Sequence, residues 1–256
     1  MRSILPLALL VMAWPAAGAG VEIRVIYDNT SARSDMEADW GFAAVVTTNG
    51  HRVLFDSGTK PDLFLENLRK MEVRPDSIEA AVISHEHEDH RNGIYRLQPL
   101  YSPMLVHFLE TFNPQAFAEA VSVGLQARRI NGPEEIVPGI FTTGIVAGKP
   151  DEQALVIPTE KGLVILTGCS HPGVVKMVEA ARRSKDGAKV RLLLGGFHLF
   201  QTPEPEIAVI VDKLKAQQVE RVAPAHCTGD PAMKALRRAY GDNYSLAGAG
   251  KIIQLD

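Results

Sequence analysis

From Val21 to Tyr27 (VEIRVIY) apolar and polar residues alternate, the period-two pattern of a strand with one face toward a core. Phe42 to Thr48 and Arg52 to Phe55 are further apolar runs flanking Asn49-Gly50, a pair suited to a tight hairpin turn. From Pro61 to Met71 the pattern becomes helical, with Leu63, Phe64, Leu65 and Leu68 on the inner side and Pro61 in the first turn. Glu79 to Ile83 is a short apolar strand that runs directly into the polar segment Ser84 to His90. Residues 91–150 have little periodicity; they offer a helix near Pro114 to Gly124 and turns at Asn131-Gly132-Pro133 and Pro138-Gly139. The second half repeats strand, polar loop, helix. Strands at Ala154 to Ile157 and Leu163 to Thr167 precede a helix from Pro172 to Ser184. A strand at Val190 to Leu194 precedes a helix from Glu204 to Val219, and one at Arg221 to Pro224 precedes a helix from Asp230 to Tyr240. Ile252 to Leu255 is expected to close the second sheet. No linker rich in Pro, Gly or Ser interrupts this order, so residues 20–256 read as one domain of two sheets with outer helices.

Composition narrows the picture. Hydrophobic residues make up 46% of the 256, enough for a sizeable core, and charged residues 22%. The formal net charge of −3 and the absence of a basic stripe argue against a nucleic-acid partner. The first residues read as a leader: Arg2 supplies a positive start, Ile4 to Trp14 an apolar run, and Ala17-Gly18-Ala19 a small-x-small cleavage pattern. Removing residues 1–19 would leave 237 (256 − 19) and a net charge of −4 (−3 − 1, the charge of Arg2). The apolar run is too short to span a bilayer as a stable helix, so no membrane span is expected after leader removal, and the expected location is periplasmic or secreted. The oligomeric state is not readable.

The candidate chemistry lies where strands end. Six of the eight histidines (85, 87, 90, 171, 198 and 226) occupy four loops that follow predicted strands. Loops at one end of a sheet converge, so these side chains are expected to meet. The densest segment is Ser84-His85-Glu86-His87-Glu88-Asp89-His90. Imidazole and carboxylate suit zinc and related divalent ions, and alternating histidines in an extended turn can face one ion while Asp89 and His90 face another. The H-E-x-x-H helix signature is excluded, because His87-Glu88-Asp89-His90 has one residue too few between its histidines. Cys169 and Cys227 lie in the same loops; a disulfide, a thiolate ligand and a redox-sensitive site are all open readings.

His85-x-His87-x-Asp89-His90 resembles the metal motif of the metallo-β-lactamase superfamily. Further segments follow in order: Tyr27-Asp28-Asn29, Leu54 to Gly58 (LFDSG), Thr167 to His171 (TGCSH), Gly195 to Leu199 (GGFHL), His226 to Gly229 (HCTG) and Gly248 to Lys251 (GAGK). Together they resemble the branch that includes the 7,8-dihydropterin-6-methyl-4-(β-D-ribofuranosyl)aminobenzene-5′-phosphate synthases. The resemblance implies an αββα sandwich of two facing mixed sheets with helices outside. It implies one or two divalent ions per chain, zinc foremost, with iron, manganese or magnesium as alternatives. His85, His87 and His171 would hold one ion; Asp89, His90 and His226 the other. Asp56 would sit beneath the site, and Asp28 and Asn29 would line its rim.

Two departures bear on this assignment. The superfamily's dinuclear members carry a bridging aspartate between the third and last histidine ligands, where this chain offers only Asp186 in a turn and Asp212 in a helix. Cys169 or His198, both at strand ends, would stand in, or the second site would be weak or empty. Trp40 precedes Gly41-Phe42 where the branch often has a histidine. The expected function is an exported hydrolase that uses a metal-activated water on an ester, lactone, amide or phosphoester of a small-molecule substrate, with Asp89 and His198 as acid–base groups. The alternatives are a metal-dependent transferase of the synthase type and a non-catalytic metal or redox sensor.

Overall fold

The computed structural model describes residues 20–97 and 104–256; the expected leader at 1–19 lies outside them. Two sheets face each other. The first has seven strands, in the order β13 (Ile252–Leu255), β1 (Val21–Tyr27), β2 (Ala43–Thr48), β3 (His51–Phe55), β4 (Ala80–Val82), β5 (Leu105–Leu109) and β6 (Gln126–Ile130). The second has six: β12 (Val222–Ala225), β11 (Val190–Gly196), β10 (Gly162–Thr167), β9 (Leu155–Thr159), β8 (Ile140–Thr142) and β7 (Glu134–Val137). The Asn49-Gly50 turn takes φ of 51° and 80°, the doubly left-handed geometry that closes a two-residue hairpin between β2 and β3.

Alternation along the strands builds three apolar layers. Ile23, Val25, Val46, Phe55 and Val82 meet Leu155, Val164, Leu166, Leu192 and Leu194 between the sheets. On the outer face of the first sheet, Phe64 and Leu68 of α1 (Pro61–Lys70) pack with Phe108; after the short α2 (Glu88–Arg91), Ala120 of α3 (Pro114–Ser122) joins the same cluster. The outer face of the second sheet is covered by α4 (Val174–Arg183), α5 (Glu204–Ala216) and α6 (Asp230–Tyr240) through Met177, Val178, Ile207, Leu214 and Leu236. Full burial of a Leu or Phe side chain contributes about 1.5–3 kcal/mol. Helix, sheet, sheet, helix is the expected layer order.

Ile252–Leu255 is a correction: it pairs antiparallel with β1, from Val21↔Leu255 to Arg24↔Ile252, and so closes the first sheet, not the second. Its buried residues, Ile253 and Leu255, join the inter-sheet layer from that side.

Strand direction positions the site. β1 and β2, then β2 and β3, are antiparallel, while β3 and β4 are parallel, so β1, β3 and β4 run the same way. β10, β11 and β12 are mutually parallel. The residues that follow these six strands are Asp28, Asp56, Ser84–His87, Cys169–His171, His198 and His226, and they gather at one edge of the sandwich.

Candidate metal centre

At the centre of this edge is Asp56, fully buried and with φ of +57°. Its Oδ1 accepts the Ser84 N–H (2.7 Å); its Oδ2 accepts the Ser84 hydroxyl (2.8 Å) and the His90 Nδ1–H (2.7 Å). Burial pushes the Asp56 carboxyl upward, against the opposing pull of the His90 ring and these hydrogen bonds. Gly168 makes the approach possible: a Cβ there would lie 2.0 Å from Ser84 Oγ. Because the Ser84 hydroxyl donates to Asp56, its lone pair accepts from His85 Nδ1 at 2.9 Å. One carboxylate thus directs the Nε2 lone pairs of both His85 and His90 into the site.

The other two histidine loops are fixed separately. Asp28 Oδ1 accepts the His226 N–H at 2.7 Å, and Asn29 Oδ1 accepts the His226 Nδ1–H at 2.9 Å. Asn29 Nδ2 donates to the His226 carbonyl (3.1 Å). Asp28 is buried behind His226, a correction to the rim position expected for it; burial raises its carboxyl. His171 is held by Glu152, which the sequence reading missed. Glu152 is fully buried; its Oε1 accepts the N–H groups of Cys169 and Ser170 (2.8 Å each), and its Oε2 accepts the His171 N–H (2.9 Å) and Nδ1–H (3.1 Å). Burial pushes this carboxyl up, but the His171 and backbone hydrogen bonds outweigh it and hold it below the ordinary value. The next residue, Gln153, donates to the Ile83 carbonyl, and its N–H donates to the Ser84 carbonyl, so one short segment braces two histidine loops.

The inward atoms converge. His85 Nε2 lies 3.1 Å from His87 Nδ1, and His90 Nε2 lies 3.2 Å from both His226 Nε2 and Cys169 Sγ. Asp89 Oδ2 lies 3.2 Å from His226 Nε2. Ligands about 2.0–2.1 Å from a tetrahedral ion are separated by about 3.3 Å, close to these spacings. With Nδ1 of His90 and His226 both donating, their Nε2 lone pairs point at each other, an arrangement that a cation or a proton between them relieves. Burial disfavours charge on His226, but Asp89 reverses this and raises it; burial and the neighbouring rings lower His85 well below the ordinary value. Burial opposes ionisation of Asp89, yet the His226 and His90 rings hold it well below the carboxylate range. The donor set therefore fits a divalent cation.

His85, Cys169 and His171 form one compact donor group; His90, Cys169 and His226 form another; His85, Asp89 and His90 a third. Cys169 belongs to the first two and to a fourth group with His198 and Cys227; Asp186 and Asp212 lie outside every such group among the described residues. Cys169 and Cys227 are both free and buried. Burial raises the Cys169 thiol; Cys227 is pulled down because hydrogen bonds with Cys169 and His198 outweigh its own burial. His198 is exposed, its ring 4.4 Å from that of His171, and its contact with Cys227 raises it. Asp56, Ser170, His198 and His226 all adopt positive φ without being glycine, a concentration of backbone strain at one edge that marks functional sites. A cleft of about 630 Å³ opens beside His171 and His198, and one of about 480 Å³ beside Glu86 and His87.

Comparison with known proteins bears on the family and the fold. The sequence model of a family described as the metallo-beta-lactamase superfamily matches residues 41–181. A 7,8-dihydropterin-6-methyl-4-(beta-D-ribofuranosyl)-aminobenzene-5′-phosphate synthase of Methanocaldococcus jannaschii is 29% identical over 259 residues, covering 83% of this chain and 88% of the relative. A solved structure described as a metal-dependent hydrolase of the beta-lactamase superfamily aligns with TM-score 0.77 and 27% identity over 92% of this chain and 99% of its own. An N-acyl homoserine lactonase of Bacillus cereus is 29% identical over 112 residues, 43% of this chain and 45% of the relative.

Proposed function

The chain belongs to the metallo-β-lactamase superfamily, and from that premise we propose that it is an exported metal-dependent hydrolase of small-molecule esters, lactones, amides or phosphoesters. The observation that carries this reading is the convergence of His85, His87, Asp89, His90, His171 and His226, with one cleft lined by His171 and another by His87, and with the outer nitrogens of His90, His171 and His226 already engaged by Asp56, Glu152 and Asn29. These residues would hold one or two divalent ions, zinc foremost, and Cys169 would contribute between them. A divalent ion there supplies Lewis acidity, making a water acidic enough to ionise near neutral pH and polarising a substrate oxygen.

The chain's own groups do the rest. Asp89 is held ionised and half-buried, so its carboxylate is available to orient a water and take its proton. His198 stands on the exposed side, with its affinity for a proton raised by Cys227, and is placed to donate to a leaving group. Asp56 and Glu152 keep the imidazoles in one tautomer throughout. The apolar run and small-x-small pattern of residues 1–19 support export.

The likeness to the Methanocaldococcus synthase favours a second reading, a metal-dependent transferase. Purified protein and His85→Ala should be assayed on an ester, lactone and phosphodiester panel, with bound metal measured in parallel. Metal-dependent turnover that is lost in the variant supports the hydrolase. Metal without turnover on the panel rejects it in favour of the transferase or of a non-catalytic metal sensor. Fractionation of the expressing cell tests export: retention of full-length chain in the cytoplasm contradicts it.

A further inference from the structure

Among the described residues, six large hydrophobic side chains are exposed; two of them, Trp40 (50%) and Phe200 (43%), touch each other at the mouth of the metal centre. Their ring centroids are 6.5 Å apart at an interplanar angle of 82°, so they form two perpendicular walls. Each wall also rests on a site histidine: Trp40 lies 4.9 Å from the His226 ring, and Phe200 lies 5.2 Å from the His198 ring at 85°. The walls come from opposite sheets, Trp40 from the segment before β2 and Phe200 from the segment after β11.

Both are set on backbone that has little room to move. The Trp40 N–H donates to Asp39 Oδ1 at 2.7 Å, and the Trp40 carbonyl accepts the Thr59 hydroxyl. Gly41, at φ +140°, is packed so closely that a Cβ would lie 2.5 Å from the Asp89 carbonyl. Phe200 sits over Gly229, where a Cβ would lie 2.4 Å from Phe200 Cα. Exposed aromatics carried on such fixed backbone, edge to face and beside polar ligands, are preorganised to receive a ring: one wall offers its face and the other its edge.

We propose that Trp40 and Phe200 form a subsite for a planar aromatic or heteroaromatic group of the substrate, placed next to the bond presented to His198 and Asp89. This deepens the hydrolase reading, and rests on it only for the chemistry of the neighbouring bond. Burying a ring against both walls should favour an aromatic ligand over its methyl counterpart by about tenfold.

Trp14 and Trp40 are the chain's two tryptophans, so in a Trp14→Phe background indole emission reports Trp40 alone. Metal-loaded protein of that background is titrated with phenylphosphonate and with methylphosphonate, which share an anionic head and differ in the ring. The expected result is quenching by phenylphosphonate with about tenfold tighter binding, a preference lost in Phe200→Ala and restored in Phe200→Tyr, with circular dichroism confirming that each variant is folded. Equal binding of the two phosphonates, binding of neither, or an undiminished preference in Phe200→Ala would overturn the proposal. Failure of the hydrolase reading looks different: the unmutated protein turns over no ester, lactone or phosphodiester, while the preference for phenylphosphonate and its loss in Phe200→Ala persist.

Discussion

Replacing Glu152 by Gln tests whether a buried carboxylate organises the His171 loop. In the wild type its two oxygens accept four donors, at 2.8, 2.8, 2.9 and 3.1 Å. The amide of Gln keeps one acceptor oxygen for Cys169 and Ser170, but turns an NH2 toward the N–H and Nδ1–H of His171. Two buried donors then lack partners, at about 1–3 kcal/mol each, so the expected loss is about 4 kcal/mol. At about 2–4 °C per kcal/mol for a chain of this size, the melting temperature should fall by about 10 °C. His171 can escape the clash by moving its proton to Nε2, which removes the lone pair aimed at the metal, and affinity should drop about 10–100-fold. The pH dependence has a definite sign. The folded carboxyl lies below its ordinary value of 4.5, so its contribution is present above that range and lost as pH falls through the folded value. The wild type and Glu152→Gln should therefore converge in acid and differ most at neutral pH. Thermal melts from pH 7 downward, with zinc titrations of metal-free protein, give both quantities. A variant melting within about 2 °C of wild type at pH 7, with unchanged zinc affinity, would refute the role given to Glu152.

Other expectations follow from the same geometry. Asp56→Asn should weaken metal binding about 10–100-fold, measured by chelator competition, because it disrupts the hydrogen bonds that aim both His85 and His90; unchanged affinity would contradict that placement. Cys169→Ala should lower the metal content toward one ion, since its sulfur is shared by the donor group of His85 and His171 and that of His90 and His226, whereas Cys169→Asp should retain the wild-type content; elemental analysis of the two variants distinguishes a bridging group from a buried filler. Metal-free protein should lose stability as pH falls below about 6.5, because burial keeps His85 and His87 from taking up protons that the unfolded chain accepts. His226, raised by Asp89, opposes this loss, so His226→Gln should steepen it in melts at pH 7.5 and 5.5.

The parts of the fold carried by local signals were legible in the sequence. Val21–Tyr27 and Asp230–Tyr240 coincide with their predicted ranges because alternation marks the one, and Pro231 in the first turn with Gly241 at the end marks the other. The segment Ser84–His90 follows a buried strand as expected, and the strand-end loops bring His171, His198 and His226 to the same place. The misreadings share a cause. β5 and β6 are short strands with little alternation, held by pairing across long connections, and β7 and β8 form a hairpin too short for alternation to register. Ile252–Leu255 was assigned by its apolar character, which does not specify a sheet; its register with β1 does. Glu152 stands in Pro150-Asp151-Glu152-Gln153, a run that reads as a solvated turn. Its role arises from backbone donors 17 to 19 residues away. A charged residue two positions before the apolar run Ala154–Ile157 was the available signal.

The most direct test of the central claim is calorimetric titration of chelator-treated protein with zinc, following heat and released protons together. Tight uptake of one or two ions per chain is expected with proton release, since Asp89 beside His226 raises the affinity of that imidazole for a proton that a cation must displace, together with loss of that uptake in His85→Ala. Folded protein that takes up no divalent ion, or that binds as well with His85 replaced, would contradict it.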